Sequence, residues 1–400
     1  MIRVGFILPS LDSKWMGGIQ YFNRLLFSLK AYSDLIEPVV FTGKKSDISF
    51  IPPEMNIEVV QSLYFDITPR IPKIHKRIIS LLSHDPILDK ILTHYRIDII
   101  SHIMPNQWPY ACLSHIPTIG WIPDLQHKYL PQFFTPSEIQ DRDSTYLQLL
   151  SGTNFSISSS QSAKNDVLSF YGIKASKIGV LSFYAFYDPY LSIPTTQELY
   201  QKYSFTGDYF FIPNQFWQHK NHLVVIEACI KIREMGHSCV IICTGDTTDY
   251  RNSNFYSQLQ NTISTHRLET SFLVVGKIPY NDLIGFMLGS IAVINPSFFE
   301  GWSTTVEEAK FWNIPLILSD IPVHREQNPN DVMYFHPNDS KALAEILIQK
   351  WTKNNAISIL MNKPGYDTFY INKKNLTNGT ALSKTFENII SKTIFSYKTP

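Results

Sequence analysis

The sequence is poor in cysteine, in long apolar runs and in excess charge of either sign. Its 400 residues include four Cys, and 35 basic side chains against 34 acidic ones give a formal net charge of +1. Balanced charge gives no global electrostatic reason to bind nucleic acid, so no nucleic-acid partner is predicted. No stretch approaches the roughly 18 uncharged apolar residues that a membrane-spanning helix needs. Aromatic residues make up 14% of the chain, which is typical of a folded protein rather than a disordered one.

The few cysteines and the N-terminus indicate a cytoplasmic protein. Cys229, Cys239 and Cys243 lie in apolar runs without metal-ligand or disulfide spacing, and Cys112 stands alone. The apolar run within residues 1–9 is too short for the core of a signal peptide, and no small-residue cleavage site follows it. We therefore expect reduced, buried thiols and interpret the first residues as a β-strand.

Short β-branched runs alternate with helical patterns, which is typical of an α/β protein with parallel sheets. The rhythm runs from Val4 to about residue 190, passes through a polar stretch at 192–207, and starts again at Tyr209. We predict two Rossmann-like doubly wound domains, at 1–190 and 205–375, with a cleft between them where ligands of such folds bind. The strands predicted in the first domain are 4–8, 39–41, 57–60, 97–103, 118–121, 155–158 and 178–181.

An acidic pair beside a helix start is the most informative segment. A strand ends at Asn295, a turn carries Gly301, and one of three hydroxyl residues at 303–305 can cap the helix that follows. Free backbone N–H groups at such a helix start suit a phosphate. Glu300 and Glu308 then offer acceptors for the hydroxyls of a sugar and a ribose. The structural alternative is a capping box, formed by residues 304 and 307 or by residues 305 and 308.

The spacing of Glu300 and Glu308, with Pro296 before them and Pro315 after them, resembles the E-x7-E segment of glycosyltransferase family 4. This family comprises retaining enzymes of the GT-B fold. The resemblance implies that Glu300 contacts the donor sugar, that Glu308 contacts the nucleotide ribose, and that a C-terminal helix at 376–400 crosses back to the first domain. It also implies that the helix start binds the diphosphate, through Gly301, Trp302, Ser303 and Thr304.

A second block, residues 212–222, follows the first strand of the second domain. A cation fixed there would stabilise the charge that develops on a diphosphate leaving group, without a metal or other cofactor. Lys220 is the predicted cation. The resembled family carries Arg five residues before this Lys, where this chain has Gln215, and His219 is the predicted second contact to the phosphates. An exposed loop lysine beside a buried tryptophan is the structural alternative.

Two regions of the first domain complete the predicted site. Gly17 and Gly18 lie between the first strand and the first helix, where glycines let a ligand approach the backbone closely, although a tight turn would look the same. The resemblance places them next to the donor phosphate. After a later strand, Asp124 is the first candidate to position or deprotonate the acceptor hydroxyl, and His127 is the second. Either could instead be structural, since Asp after Pro often starts a turn.

Residues 70–96 form a basic stretch interleaved with apolar residues. Such a stretch suits peripheral contact with an anionic membrane, as a lipid-linked acceptor would require, and a helix pair with one solvated face is the alternative.

The resemblance implies a retaining glycosyltransferase that uses a nucleotide-diphosphate sugar as donor and a saccharide or lipid-linked saccharide as acceptor, in bacterial surface-polysaccharide synthesis. No residue suggests a covalent nucleophile, so we expect displacement on the same face of the sugar. The alternatives are a nucleotide-sugar epimerase or hydrolase on the same fold, and a non-catalytic nucleotide- or saccharide-binding protein. A dehydrogenase is disfavoured because neither half has G-x-G-x-x-G after its first strand.

Overall fold

The computed structural model describes residues 1–8, 16–66, 85–104, 115–188, 190–357 and 368–398. Within these ranges the chain divides into two compact units. The first comprises residues 1–128, 135–186 and 374–400, and the second comprises residues 129–134 and 187–373. The first unit gives way to the second after residue 186, and the short segment 129–134 groups with the second unit.

The first unit is built on a seven-stranded parallel sheet with the order β3-β2-β1-β4-β5-β6-β7. Its strands are nearly continuous apolar runs because helices cover both faces of a parallel sheet. The strands are β1 (Ile2–Ile7), β2 (Ile36–Thr42), β3 (Glu58–Gln61), β4 (Ile99–Ile103), β5 (Thr118–Ile122), β6 (Phe155–Ser158) and β7 (Ile178–Val180). The helices are α1 (Met16–Tyr32), α2 (Leu63–Asp66), α3 (Pro86–His94), α4 (Gln126–Tyr129), α5 (Pro136–Gly152) and α6 (Gln161–Tyr171).

The second unit repeats this plan with six parallel strands in the order β10-β9-β8-β11-β12-β13. Its strands are β8 (Phe210–Ile212), β9 (Ile241–Thr244), β10 (Phe272–Gly276), β11 (Val293–Asn295), β12 (Leu316–Ser319) and β13 (Val332–Phe335). Its helices are α7 (Thr196–Tyr203), α8 (His222–Glu234), α9 (Phe255–Thr265), α10 (Tyr280–Gly289), α11 (Thr304–Phe311), α12 (Pro322–Gln327) and α13 (Ser340–Ile357), and α14 (Thr368–Lys398) follows them. Both sheets have the strand order of a Rossmann fold, so the predicted fold class is confirmed.

The polar stretch at 192–207 contains a helix that the sequence pattern did not predict. Thr195 caps α7 in a capping box with Glu198, and Leu199 is fully buried. Lys202 donates to Asp282 on α10 at 2.6 Å. One buried leucine leaves too weak an apolar period to predict a helix, so local capping and packing on α10 account for α7.

The last helix, α14, packs on the first unit from Lys374 onward. The Ser383 hydroxyl donates to the Ser28 carbonyl on α1 at 2.9 Å, and Phe386 and Ile390 are fully buried. Gly379 lies where α14 passes the ring of Tyr32, and a Cβ there would overlap that ring. A glycine is therefore required for the close approach of α14 to α1.

We expect Gly379→Ala to destabilise the protein by about 1–3 kcal/mol, because the added methyl group overpacks a filled contact. The measurement is the thermal unfolding midpoint. Thr385→Ala, at an exposed position of the same helix, is the control and should change stability by about 0.5 kcal/mol or less. Equal midpoints for the two variants would contradict this close contact.

Most of the predicted basic stretch falls in residues 67–84, which lie outside the described residues. Cys112 also lies outside the described residues. The other three cysteines are buried free thiols, as predicted. No helix in the described ranges is both long and apolar enough to cross a membrane.

Candidate active site

Two loops meet at the point of the second sheet where the strand order reverses. β8 and β11 are neighbours there, although 80 residues separate their sequences, and each has a loop at its carboxyl end. Ligands of doubly wound folds bind beside this switch point. The β8 loop carries Lys220, and the β11 loop carries Glu300. Strand order therefore brings together the two blocks that the sequence singled out.

Lys220 and Glu300 form an ion pair within this site. Lys220 Nζ lies 2.6 Å from Glu300 Oε1, and the two side chains are only 16% and 11% exposed. Burial by itself raises the pKa of Glu300, but the charge of Lys220 and hydrogen bonds from Lys220 and Ser297 lower it more, so the net pKa lies below its ordinary value. The carboxylate is therefore ionised at neutral pH. Lys220 has further donor positions with which it could meet an anion.

The buried hydroxyl groups of Ser297 and Ser319 link Glu300 to the end of β12. Ser297 Oγ lies 2.7 Å from Glu300 Oε1 and also 2.7 Å from Asn295 Oδ1, so it donates to one of them at a time. The hydroxyl of Ser319, at the end of β12, donates to the Ser297 carbonyl at 2.6 Å. His324 Nδ1 lies 2.9 Å from the Ser319 carbonyl, and burial lowers the pKa of His324 to about 4. This neutral histidine thus donates through Nδ1 and holds the end of β12, which in turn contacts the loop that carries Glu300.

The helix after Glu300 begins at the N-cap Ser303. Its hydroxyl accepts from the Val306 N–H at 3.4 Å and from Asn295 Nδ2 at 2.8 Å. Glu307 instead pairs with Lys310 at 2.9 Å. The alternative of a capping box at residues 304 and 307 or at 305 and 308 is therefore wrong, because the cap lies one or two residues earlier. Gly301, Trp302 and Thr304 flank this helix start, and their predicted contacts with a diphosphate stay predictions.

Glu308 lies on α11, one turn into the helix, and is 7% exposed. The Tyr280 hydroxyl, at the start of α10, donates to Glu308 Oε1 at 3.0 Å. The contact of Glu308 with a ribose stays a prediction. Tyr280 fixes the orientation of this carboxylate, a contact that the sequence did not reveal.

The turn that carries Lys220 is a 3₁₀ helix at Gln218–Lys220, tied directly to the Glu300 loop. The Phe298 N–H donates to the His219 carbonyl at 2.9 Å. Asn221 adopts a left-handed conformation, with φ of 56°, and donates to the Pro296 carbonyl at 3.1 Å. These hydrogen bonds join the turn that carries Lys220 to the loop that carries Glu300. Lys220 is therefore not an exposed loop lysine.

The structure gives His219 and Gln215 different environments. The His219 ring is 6% exposed and lies 3.0 Å from the guanidinium of Arg251. Burial lowers the pKa of His219 well below its ordinary value, so the ring is neutral and contributes no charge to a diphosphate. Gln215 is half-buried in the loop after β8, and its backbone carbonyl accepts from the Trp217 N–H. Contacts of His219 and Gln215 with a donor stay predictions.

In the first unit, Gly17 and Gly18 lie in the first turn of α1 rather than in the turn before it. Gly17 is exposed, Gly18 is buried, and a Cβ at Gly17 would meet no atom of the described residues within 4 Å. Within the described part of the chain, neither packing nor an unusual backbone conformation therefore requires glycine at position 17. A ligand that approaches the helix start is one explanation that remains.

We expect Gly17→Ala to fold as stably as the wild type, or up to about 1 kcal/mol more stably, because Ala is the better helix former. If a ligand approaches this helix start, the methyl group should raise the donor KM while the unfolding midpoint stays the same or rises. Unchanged donor kinetics would show that Gly17 has no part in binding.

Asp124 and His127 follow β5 but differ in access. Asp124 is half-buried, and its Oδ1 accepts from the Gln126 N–H at 3.0 Å, as in the structural alternative of a turn. His127 is 1% exposed, and its Nε2 lies 2.9 Å from Asp143 Oδ1. Burial lowers the pKa of His127, and Asp143 partly offsets this effect. Asp124 is thus the more accessible of the two candidates, and its role with an acceptor stays a prediction.

The chain is similar to known proteins in sequence and in structure. The family model described as Glycosyl transferases group 1 matches residues 201–366, which include Lys220, Glu300 and Glu308. The matched segment is thus similar to a group 1 glycosyltransferase domain. Over 186 residues it is 27% identical to the O-antigen chain mannosyltransferase RfbU of Salmonella typhimurium, covering 46% of this chain and 47% of RfbU. The match thus spans about half the length of this curated relative.

Similarity to solved structures extends over nearly the whole chain. A glycosyltransferase from Rickettsia africae superposes with a TM-score of 0.68 at 16% identity, covering 98% of each chain. The Anabaena protein HepE, solved in complex with UDP and glucose, gives a TM-score of 0.67 at 15% identity, covering 98% of this chain and 100% of its own. At such identities the likeness shows the fold, and the predicted GT-B class is confirmed.

Proposed function

We propose that this group 1 domain belongs to a family 4 enzyme that transfers a sugar with retention of configuration. The donor is a nucleotide-diphosphate sugar, and the acceptor is a saccharide or lipid-linked saccharide of a bacterial surface polysaccharide. The Lys220–Glu300 pair carries this proposal: it lies at the switch point of the second sheet, within the matched domain. There a fixed cation and a sugar-binding carboxylate would stand side by side.

The site residues divide the proposed reaction between them. As the bond between the sugar and the diphosphate breaks, negative charge develops on the leaving phosphate. Lys220 and the N–H groups at the start of α11 stabilise that charge, so we propose that no metal is needed. Glu300 accepts hydrogen bonds from sugar hydroxyls, and Glu308 accepts one from the ribose. The acceptor hydroxyl, positioned by Asp124, attacks the sugar carbon on the face from which the diphosphate leaves, and its proton passes to the leaving diphosphate.

Two relatives support the substrate classes. RfbU is named an O-antigen chain mannosyltransferase, and HepE was solved with UDP and glucose. We therefore propose UDP and GDP sugars as the first donors to test, and a growing surface polysaccharide at the inner face of the membrane as the acceptor.

The test is a donor screen followed by product analysis. UDP-glucose, UDP-galactose and GDP-mannose are screened by thermal shift, since a ligand that binds only the folded state raises the unfolding temperature. The best donor is then incubated with and without saccharide acceptors, and NMR assigns the anomeric configuration of the product. Transfer that requires an acceptor, retains configuration and persists in EDTA supports the proposal. Conversion without an acceptor indicates an epimerase or hydrolase, and binding without turnover indicates a binding protein.

A further inference from the structure

The loop after β9 forms hydrogen bonds with the turn that carries Lys220. Asp249 Oδ2 accepts from the Gln218 N–H at 2.9 Å, and Asn252 Nδ2 donates to Gln218 Oε1 at 3.2 Å. Arg251 Nη2 lies 3.0 Å from His219 Nδ1. Each of the two residues before Lys220 is thus held by a side chain from this one loop, about 30 residues further along the chain.

Arg251 is fixed on several sides. Its side chain is 8% exposed and that of Asp249 only 1%, and Arg251 Nε lies 3.4 Å from Asp249 Oδ1. The guanidinium carbon also lies over the rings of Trp217 and Tyr250, at 5.8 and 5.3 Å from their centroids. A buried charge is costly unless it is paired and hydrogen-bonded, so these contacts compensate it. Arg251 is therefore rigidly placed and directed into the protein.

His219 links Arg251 to the active site. Because the guanidinium only donates, Nδ1 of His219 must accept, which requires a neutral ring with its proton on Nε2. The backbone carbonyl of His219 accepts from Phe298, two residues before Glu300. His219 thus contacts Arg251 through its ring and the Glu300 loop through its backbone, and Lys220 follows it directly.

We propose that Arg251 is a positioning residue: by holding the His219 ring, it fixes the turn that places Lys220 against Glu300. This inference rests on the proposed function, because the benefit of the placement is transition-state stabilisation by Lys220. A misplacement of about 1 Å in such a site can cost roughly 100-fold in rate. In this role Arg251 acts through Lys220 rather than on the donor itself.

The experiment is a double-mutant cycle with the donor found in the screen. Arg251→Ala, Lys220→Ala and the combined variant are compared for kcat, donor KM and calorimetric binding of UDP or GDP. We expect Arg251→Ala to lower kcat about 10- to 100-fold, and to have little further effect once Lys220 is alanine, because both changes remove the same interaction. Arg251→Lys should not restore kcat, since an ammonium lacks the planar fork of the guanidinium. Arg233→Ala, at an exposed arginine in the same unit, is the control.

Two outcomes would overturn the inference. Wild-type kcat in Arg251→Ala would show that no positioning is needed. Losses that multiply in the combined variant would show that Arg251 acts on the donor independently of Lys220. If Arg251→Ala does not fold, His219→Phe keeps a ring but removes the acceptor, and it should give the same loss and the same non-additivity with Lys220→Ala. The wild-type protein is assayed first. Absence of both donor binding and transfer in the wild type would contradict the proposed function itself, whereas the mutant cycle tests only the role of Arg251.

Discussion

Lys220→Ala is expected to lower kcat for sugar transfer about 10²- to 10³-fold, the usual cost of removing one preorganised group that stabilises developing charge. Lys220 Nζ is held 2.6 Å from Glu300, so its cation needs no rearrangement as the diphosphate leaves. Donor KM should change less than kcat, because the charge on the leaving group is greatest in the transition state. Steady-state kinetics with saturating acceptor measure both values.

Lys350→Ala is the matched control for this variant. Lys350 pairs with Asp331 at 3.0 Å and is 19% exposed, against 16% for Lys220, but it lies on α13, outside the proposed site. Removing one partner of a mostly buried pair costs up to about 3–5 kcal/mol, so thermal unfolding must first show that Lys220→Ala is folded at the assay temperature. Near wild-type kcat in a folded Lys220→Ala variant would show that Lys220 has no part in the reaction.

Glu300→Gln is expected to lower kcat about 10- to 150-fold, the range that corresponds to losing one charged hydrogen bond of about 1.5–3 kcal/mol. Glutamine matches the size of the side chain but removes the charge that holds Lys220, and its amide N–H group donates where the proposed contact with a sugar hydroxyl needs an acceptor. Because the pKa of Glu300 lies below its ordinary value, the wild-type carboxylate stays ionised throughout a neutral pH range. The loss should therefore be constant from about pH 6 to pH 8, a range above the ordinary glutamate pKa of about 4.3.

Asp282→Asn controls for the general effect of neutralising a buried acid. Asp282 also pairs with a lysine at 2.6 Å, and its side chain is 8% exposed, against 11% for Glu300. It joins α10 to α7 and should alter stability rather than kcat. If both variants lost activity equally, the effect of Glu300→Gln would be one of folding and not of the site.

Much of the site was predictable because its signals are local. The apolar runs of the strands, the glycines after β1 and the spacing of Glu300 and Glu308 are each set by residues close together in the sequence. Strand prediction succeeded for the same reason: strands buried on both faces are continuous apolar runs. The position of Lys220 after β8 followed from the restart of the strand–helix rhythm.

Local patterns also had limits. The helix start offered three hydroxyls as caps, and contacts from Asn295 and Gln327 distinguish Ser303 from its neighbours. His127 follows a strand and was the second candidate to deprotonate the acceptor hydroxyl. Packing places its side chain inside the first unit, against Asp143. Tyr280 and Arg251 showed no signal at all, since their partners lie 28 and 32 residues away.

The sequence by itself determined the alternation of strands and helices, the division into two halves and the residue types of the candidate site. Only the tertiary structure decided which of these residues meet. Lys220 and Glu300 are 80 residues apart, and they pair because β11 lies next to β8 in the sheet. Strand order depends on how whole strands and helices pack together, whereas sequence patterns report the preferences of short segments, and for this reason the ion pair could be derived only from the fold.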